Sequence, residues 1–419
     1  MKNKIFSLIL SLLMLIPLFS LTASASVQEE RIKNAMEEFL DPSGKIIGIS
    51  SKGEWGDYPE NSIPAIEEAA KTDIDFVLID IKKTSDGVLI AFSDDTTERM
   101  LMSETVYNVS ETDYATLKSF YLRKGCGGSN EKASEYKIPT LNEVTDIASA
   151  CGLPLIIRCE ADLFPEISEL LYEKAALDMS ILMAQAGKKE ISETVSLCEH
   201  TPYIIGTVKG NVVFNIISFV NSLDALSAAG VQLKTVNRYG INYYKSLLSR
   251  YSEKMRVICD PTTPEESGYR EDSEAYWNDL ISRGYSVIIT DHADIFSEYK
   301  KRADEARIRL QTLYDKYVTN HTLPDFRDEA LNDTKKAYTD AVAEADLLLD
   351  DASASVQDLT DCYASLFKAA NDVNISFSAL EDGSAGTTVT LPRILLCIAA
   401  AMAVLVVQIY FFKRRRKAG

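Results

Sequence analysis

From Lys45 to about Ser297, short runs of β-branched and other apolar residues alternate with longer stretches whose apolar residues recur every three or four positions. The first pattern belongs to buried strands and the second to amphipathic helices. It predicts strands at Ile46–Ile49, Phe76–Asp80, Leu155–Cys159, Ser180–Ala184, Tyr203–Val208, Val231–Thr235, Arg256–Asp260 and Ser286–Thr290. Near-continuous apolar strands separated by helices indicate a parallel α/β sheet covered on its outer face. Eight of them over this length predict a closed (β/α)8 TIM barrel, whose chemistry sits at the C-terminal ends of the strands.

Beyond Glu298 the pattern becomes wholly helical. Ala303–Tyr317, Leu323–Leu349 and Ser355–Val373 carry apolar residues at helical spacing, with Asp350-Asp351-Ala352-Ser353-Ala354-Ser355 forming a turn between the last two. At the other end, Lys2 and Lys4 precede the apolar run Ile5–Leu21 and the small-residue site Ala23-Ser24-Ala25, as in a secretory leader. Ile394–Phe412 is apolar, uncharged and long enough to cross a bilayer, and Lys413–Lys417 follows as a cytoplasmic stop. The expected organisation is a leader (1–25), a barrel domain (40–297), a helical hairpin stalk (298–374), a Gly/Ser/Thr linker (375–393), a single membrane span (394–412) and a basic tail (413–419). The barrel is expected outside the cell membrane and the C-terminus inside.

A formal net charge of −18 disfavours nucleic acid and anionic head groups as general partners. Seven Cys are scattered singly, with no His at ligand spacing, so no metal knot is signalled. The chain has three His: His200, His292 and His321.

Candidate chemistry concentrates in two stretches. Ser51-Lys52-Gly53-Glu54-Trp55-Gly56-Asp57-Tyr58-Pro59-Glu60-Asn61 follows the first strand, and Ile79-Asp80 through Asp86-Gly87 to Ser93-Asp94 spans the second strand and a hairpin. Ile138-Pro139-Thr140-Leu141-Asn142-Glu143-Val144 follows after an insertion, and Val287-Ile288-Ile289-Thr290-Asp291 closes the pattern. This succession resembles the glycerophosphodiester phosphodiesterase family. Its motifs are a His-Arg-Gly, the Pro-Glu-Asn, a Glu-x-Asp strand end, an Asp-Gly hairpin followed by His-Asp, and Ile-Pro-Thr-Leu-x-Glu-Val.

The resemblance implies a metal-assisted phosphodiester hydrolase with two acid–base His, and it also shows where this chain departs. The first family His aligns with Ser51 and its Arg with Lys52. The second His aligns with Ser93, ahead of the retained Asp94. Glu-x-Asp becomes Leu78-Ile79-Asp80, and the Glu on the next barrel strand aligns with Arg158, with Glu160 two residues on. A slip of two residues would instead put Glu160 at the metal position. Arg158 is expected either to neutralise Asp80 as an internal cation or to reach solvent from its strand end. Pro59-Glu60-Asn61 is expected mainly to open a helix, Asp86-Gly87 to make a turn, and Trp55 and Tyr58 to line a pocket mouth or pack on the surface.

The vestigial pocket is therefore expected to comprise Ser51, Lys52, Glu60, Asp80, Ser93, Asp94, Arg158 and Glu160, with no catalytic or metal-binding residue retained. The expected function is a membrane-anchored extracellular module, catalytically silent, that binds a polar or phosphodiester-like small ligand without a cofactor. One alternative is an active phosphodiesterase using a shifted ligand set with calcium or magnesium. Another is a structural surface protein with the barrel as its head.

Overall fold

The computed structural model describes residues 27–184, 186–208, 213–226, 228–233, 254–262, 272–319 and 332–381. The expected leader, linker, membrane span and basic tail lie outside them, and among the described residues no helix is long and apolar enough to cross a membrane.

Nine strands form the sheet: β1 (Ile47–Ser51), β2 (Phe76–Lys83), β3 (Leu89–Ala91), β4 (Leu155–Arg158), β5 (Ser180–Ala184), β6 (Tyr203–Thr207), β7 (Gly230–Gln232), β8 (Arg256–Cys259) and β9 (Val287–Thr290). All but β3 pair in parallel, and β1 pairs with both β2 and β9, so eight strands close into a barrel. Each coincides with one of the runs expected from sequence. β3 lies outside the barrel, antiparallel to the end of β2 across the Thr84–Gly87 turn.

Alternation along the strands divides the core in two. Ile47, Ile49, Phe76, Leu78, Ile156, Ile181, Met183, Ile205, Ile258, Val287 and Ile289 form one cluster, the barrel interior. Val77, Ile79, Leu155, Ile157, Leu182, Ile204, Val257 and Ile288 belong to the other, which also holds the buried faces of the surrounding helices. A helix over residues 27–40 adds Met36 and Phe39 to the interior cluster, with Phe39 edge-on to Phe76 at 5.1 Å. Arg256, fully buried, donates to the carbonyls of Glu38, Phe39 and Gly44. The barrel unit thus takes in this helix, ahead of the expected start at residue 40.

The motif Ile138–Val144 has a local reason. Thr140 caps the helix Leu141–Cys151 by accepting from the Glu143 N–H, while Glu143 accepts from the Thr140 N–H, a complete capping box. Gly152 ends that helix in the left-handed conformation.

The boundary expected at residue 298 falls inside one continuous helix, Ala293–Tyr314. Its first turns belong to the barrel unit because Phe296 and Tyr299 are fully buried against Trp277, with ring centroids 4.8 and 5.8 Å away. The chain divides into Met1–Gln311 with Asp346–Asp361, and Thr312–Ala345 with Cys362–Gly419. In the first unit Arg307 donates to the carbonyls of Leu348 and Leu349, 3.0 Å each, at the end of the helix Asn332–Asp350. In the second, Tyr338 donates to the Tyr317 carbonyl at 3.1 Å, and Ala341, Ala345, Leu366, Ala370 and Val373 are buried at helical spacing.

Candidate functional site

The same alternation that fills the barrel interior dictates what stands at its C-terminal mouth. Two residues on from Ile49, Leu78, Ile156, Ile205, Ile258 and Ile289 come Ser51, Asp80, Arg158, Thr207, Asp260 and Asp291. Gln232 of β7 pairs in register with Thr207, whose hydroxyl donates to its Oε1 at 2.8 Å. An apolar column therefore ends in a polar ring, and one of its apolar members, Met183, pairs in register with Arg158.

Arg158 is the centre of this ring. Asp80 and Arg158 are register partners on β2 and β4. The guanidinium grips Asp80 with two prongs, Nε to Oδ1 at 2.5 Å and Nη2 to Oδ2 at 3.2 Å. Its Nη1 reaches across to Asp260 Oδ2 beyond β8, at 3.1 Å. The two carboxylates are withdrawn from water, with side chains 9% and 1% exposed. Burial alone would raise the Asp80 carboxyl, but the charges of Arg158 and then Lys52, with hydrogen bonds from Arg158 and Ser93, hold it well below the usual carboxylate range.

Ser93, just past β3, joins this pair to a second cluster. Its hydroxyl lies 2.6 Å from Asp80 Oδ2 and 3.0 Å from Glu60 Oε1, and receives a bond from Asn61 Nδ2 at 2.8 Å. Glu60, almost fully buried, faces Arg99 Nη2 at 2.6 Å and Lys52 Nζ at 3.2 Å. Arg99 also holds Asp94 through Nε at 2.7 Å and Nη2 at 2.9 Å, and donates to the Cys126 carbonyl. Burial would lower the Arg99 guanidinium, yet its bonds to Glu60 and Asp94 drive it upward.

The loop after β1 is shaped for this network. Lys52 and Asn61 both adopt left-handed backbone, φ 62° and 57°, which side-chain-bearing residues rarely do. Lys52 is held there by its N–H to the Leu78 carbonyl and by its carbonyl accepting from Asn61, at 2.8 and 2.9 Å. Asn61 Oδ1 in turn accepts the Asp80 N–H at 3.0 Å. Pro59-Glu60-Asn61 is therefore not mainly a helix start. The helix begins at Ile63 after Ser62, and Glu60 and Asn61 are wired into the site instead.

Of the residues expected in the pocket, Ser51, Lys52, Glu60, Asp80, Ser93, Asp94 and Arg158 gather at the mouth. Glu160 does not. β4 ends at Arg158, the chain turns into a short 3-10 helix, and the Glu160 side chain is 74% exposed with Oε1 4.0 Å from Lys82 Nζ. The alternative register for Glu160 is corrected accordingly. Tyr58 meets Tyr136 edge-on at 6.1 Å, while Trp55 has a buried Nε1 without a partner among the described residues. The histidines divide too: His200 stacks on Tyr172 away from the mouth, His292 follows β9, and His321 lies outside the described residues. Next to His292, the Ala293 N–H donates to Glu54 Oε2 at 3.1 Å. Burial and then Asp294 push the Glu54 carboxyl upward.

Sequence reasoning missed Asp260, Arg99, Thr207 and Gln232. Asp260, Thr207 and Gln232 could have been found by carrying strand alternation one step past each apolar run. Nothing in the sequence marks Arg99.

The donor set decides what the mouth can hold. A hard divalent cation wants about six to eight oxygens. Here both oxygens of Asp80 face Arg158, and those of Asp260 face Arg158 and Thr262. Glu60 faces Arg99, Ser93 and Lys52, and both oxygens of Asp94 face Arg99. A guanidinium lies where the carboxylates converge, so these residues do not fit a divalent metal.

Comparison with known proteins agrees with the motifs. The family model for the glycerophosphoryl diester phosphodiesterase family matches residues 52–197. A glycerophosphodiester phosphodiesterase of Bacillus subtilis (strain 168) is 22% identical over 264 residues, which is 61% of this chain and 87% of that protein. Glycerophosphodiester phosphodiesterase 1 of Homo sapiens is 39% identical over 62 residues, 15% of this chain and 19% of that protein. Among solved structures, an Oleispira antarctica phosphodiesterase in complex with the product sn-glycerol-3-phosphate is 17% identical, covering 60% of this chain and 95% of its own, at a TM-score of 0.48. With its motifs matched from the loop after β1 through the helix before β6, this chain is similar over residues 52–197 to the glycerophosphoryl diester phosphodiesterase family.

Proposed function

We propose that this protein is a catalytically silent member of the family, a barrel displayed outside the membrane by the span at 394–412 that binds a polar small molecule at its mouth. The observation that carries this is Arg158, whose guanidinium occupies the point where Asp80 and Asp260 meet and satisfies both. Phosphodiester hydrolysis needs a way to neutralise charge growing on the phosphoryl group and an acid–base pair titrating near neutrality. The family's acid–base positions are Ser51 and Ser93 here, and a hydroxyl has no useful pKa for the task. Ser93 is committed to bridging Asp80 and Glu60.

The test is an assay of the purified full-length chain with glycerophosphodiesters, with and without calcium, magnesium and EDTA. Hydrolysis at background in every condition is expected. Turnover that EDTA abolishes, or turnover lost on His292→Ala, overturns the proposal. The topology is tested separately: external protease on intact cells should remove the barrel, and a protected barrel would defeat that part.

A further inference from the structure

We infer that the turn between the last two helices is a strap coupled to the barrel mouth, so that the order of the turn and the packing of the mouth form one equilibrium. Helix ends leave backbone groups without partners inside the helix, and at this turn side chains of the barrel unit supply them. Arg307 donates to the carbonyls of Leu348 and Leu349 at 3.0 Å each, and to that of Asp351, closing the end of the helix Asn332–Asp350. At the start of the helix Val356–Glu381, Ser355 and Asp358 cap one another, Oγ to Oδ2 at 2.7 Å and N–H to Oγ at 3.0 Å. The two N–H groups ahead of Asp358 find partners elsewhere. Val356 donates to the Tyr299 hydroxyl at 3.4 Å and Gln357 to Asn278 Oδ1 at 3.2 Å. Ala354, Ser355 and Leu359 are buried, and Val356 packs against the outer core cluster. All of these residues lie in the first unit, which takes in Asp346–Asp361.

From the strap a chain of contacts runs to the end of β9. Tyr299, fully buried, donates its hydroxyl to Asn278 Oδ1 at 2.9 Å, so one amide oxygen serves both the helix start and the tyrosine. The Tyr299 ring meets Trp277 edge-on at 5.8 Å, and the Trp277 indole N–H donates to Asp272 Oδ1 at 2.7 Å. Asp272 Oδ2 then accepts from the Thr290 hydroxyl at 2.8 Å and from the Asp291 N–H at 2.6 Å. Asp291 stands in the polar ring of the mouth. Arg302 forks onto Glu274 at 2.7 and 2.8 Å, holding the helix Glu274–Ile281, which carries Trp277 and Asn278, against the helix Ala293–Tyr314, which carries Tyr299. Close-packed side chains tied by hydrogen bonds pass a displacement on instead of absorbing it. Coupling between two sites is reciprocal, so loosening either end loosens the other.

The experiment is amide hydrogen exchange on the purified full-length chain, read by mass spectrometry of overlapping peptides. Arg307→Ala opens the strap at a point that makes none of its hydrogen bonds at the mouth. Tyr299→Phe is the milder variant, keeping the ring on Trp277 while deleting the hydroxyl between Val356 and Asn278. Exchange at Asp291 and His292 should speed by about tenfold in Arg307→Ala and by roughly threefold or more in Tyr299→Phe. The amides of β5, opposite β9 in the closed strand order, should keep their wild-type rates. Working from the other end, Asp272→Asn replaces an acceptor of the Asp291 N–H, and it should speed exchange at Val356 and Gln357 by roughly threefold or more. Wild-type exchange at Asp291 in both strap variants would overturn the inference. So would equal acceleration at β5, the mark of general destabilisation, or an Asp272→Asn variant with an unchanged strap. Should Arg307→Ala not fold, Tyr299→Phe and Asp272→Asn decide the matter by the same readings.

Discussion

Replacing Arg158 by Met deletes the guanidinium while keeping an unbranched stem of similar reach, and so isolates the charge. Two carboxylates would then be left facing one another, Asp80 with a 9% exposed side chain and Asp260 with 1%. Removing one partner of a buried ion pair costs roughly 3–5 kcal/mol, most of it the penalty for the charge left behind. Arg158 is itself 27% exposed and Lys52 still acts on Asp80, which places the expected loss near the lower bound, about 3 kcal/mol. For a domain of this size that lowers the melting temperature by roughly 6–12 °C. The pH dependence carries the sharper test. In the wild type the depressed Asp80 contributes stability that is present above its ordinary value of 3.8 and lost as pH falls through that value toward the lower folded one. In the variant burial is opposed only by Lys52 and the Ser93 hydrogen bond, so the folded carboxyl rises and part of that contribution is missing. The difference between the two proteins should therefore shrink steadily on acidification. Urea unfolding followed by circular dichroism at pH 7.5 and at about pH 3, below the ordinary carboxylate value, measures it. A loss below about 1 kcal/mol at pH 7.5, or a gap unchanged at about pH 3, would show that Arg158 is a solvent-facing strand end and not the centre of the mouth.

Asp80→Asn should flatten the acid limb of the stability curve, since the contribution lost below pH 3.8 belongs to that carboxylate; an acid limb identical to wild type would contradict its depressed titration. Gly53→Ala should cost more than about 1 kcal/mol, because Gly53 has φ 85° and an added Cβ would sit 2.7 Å from the Ala65 backbone; a neutral thermal melt would count against it. Leu78→Glu restores a family carboxylate but buries it in the barrel interior, where Leu78 is wholly inaccessible, so it should destabilise the fold by roughly 2–4 kcal/mol and leave hydrolysis at background. Turnover should need Ser51→His, Ser93→His, Leu78→Glu and Arg158→Glu together, since groups that act as a unit are not restored singly; a single reversion with measurable turnover would refute this.

The barrel was legible because its strands are buried on both faces, so each reads as an apolar run whatever its neighbours do. The placement of Arg158 against Asp80 was legible for a related reason: adjacent parallel strands that begin at the same level must align their ends. Asp260 was not, although it closes an expected strand. Its meeting with Arg158 crosses the barrel between strands that are not neighbours, and only the stagger of the closed sheet brings them together. Arg99 was hidden differently. It comes from the insertion between β3 and β4, where the fold is set by a small local core around Met100, Leu101 and Leu122 and by no repeating pattern. Glu60 and Asn61 were misjudged because Pro-Glu-Asn also satisfies the ordinary grammar of a helix start. Their burial depends on a left-handed turn at Asn61 that no hydropathy pattern encodes. The helix Ala293–Tyr314 erased an expected boundary since helical periodicity does not register which partner a face packs against.

Arg256 gives the barrel floor a temporal order. Its three bonds join β8 to carbonyls at Glu38, Phe39 and Gly44, more than two hundred residues earlier in the chain. As the chain is made from its N-terminus, the 27–40 helix meets its early partners first, Arg31 reaching the carbonyls of Ala70, Thr72 and Ile74 and Phe39 the ring of Phe76, and it gains the Arg256 bonds only when residue 256 arrives. Closing so long a loop is slow, and contacts of this separation form late in folding. The closed floor therefore marks a chain whose barrel strands have nearly all been delivered.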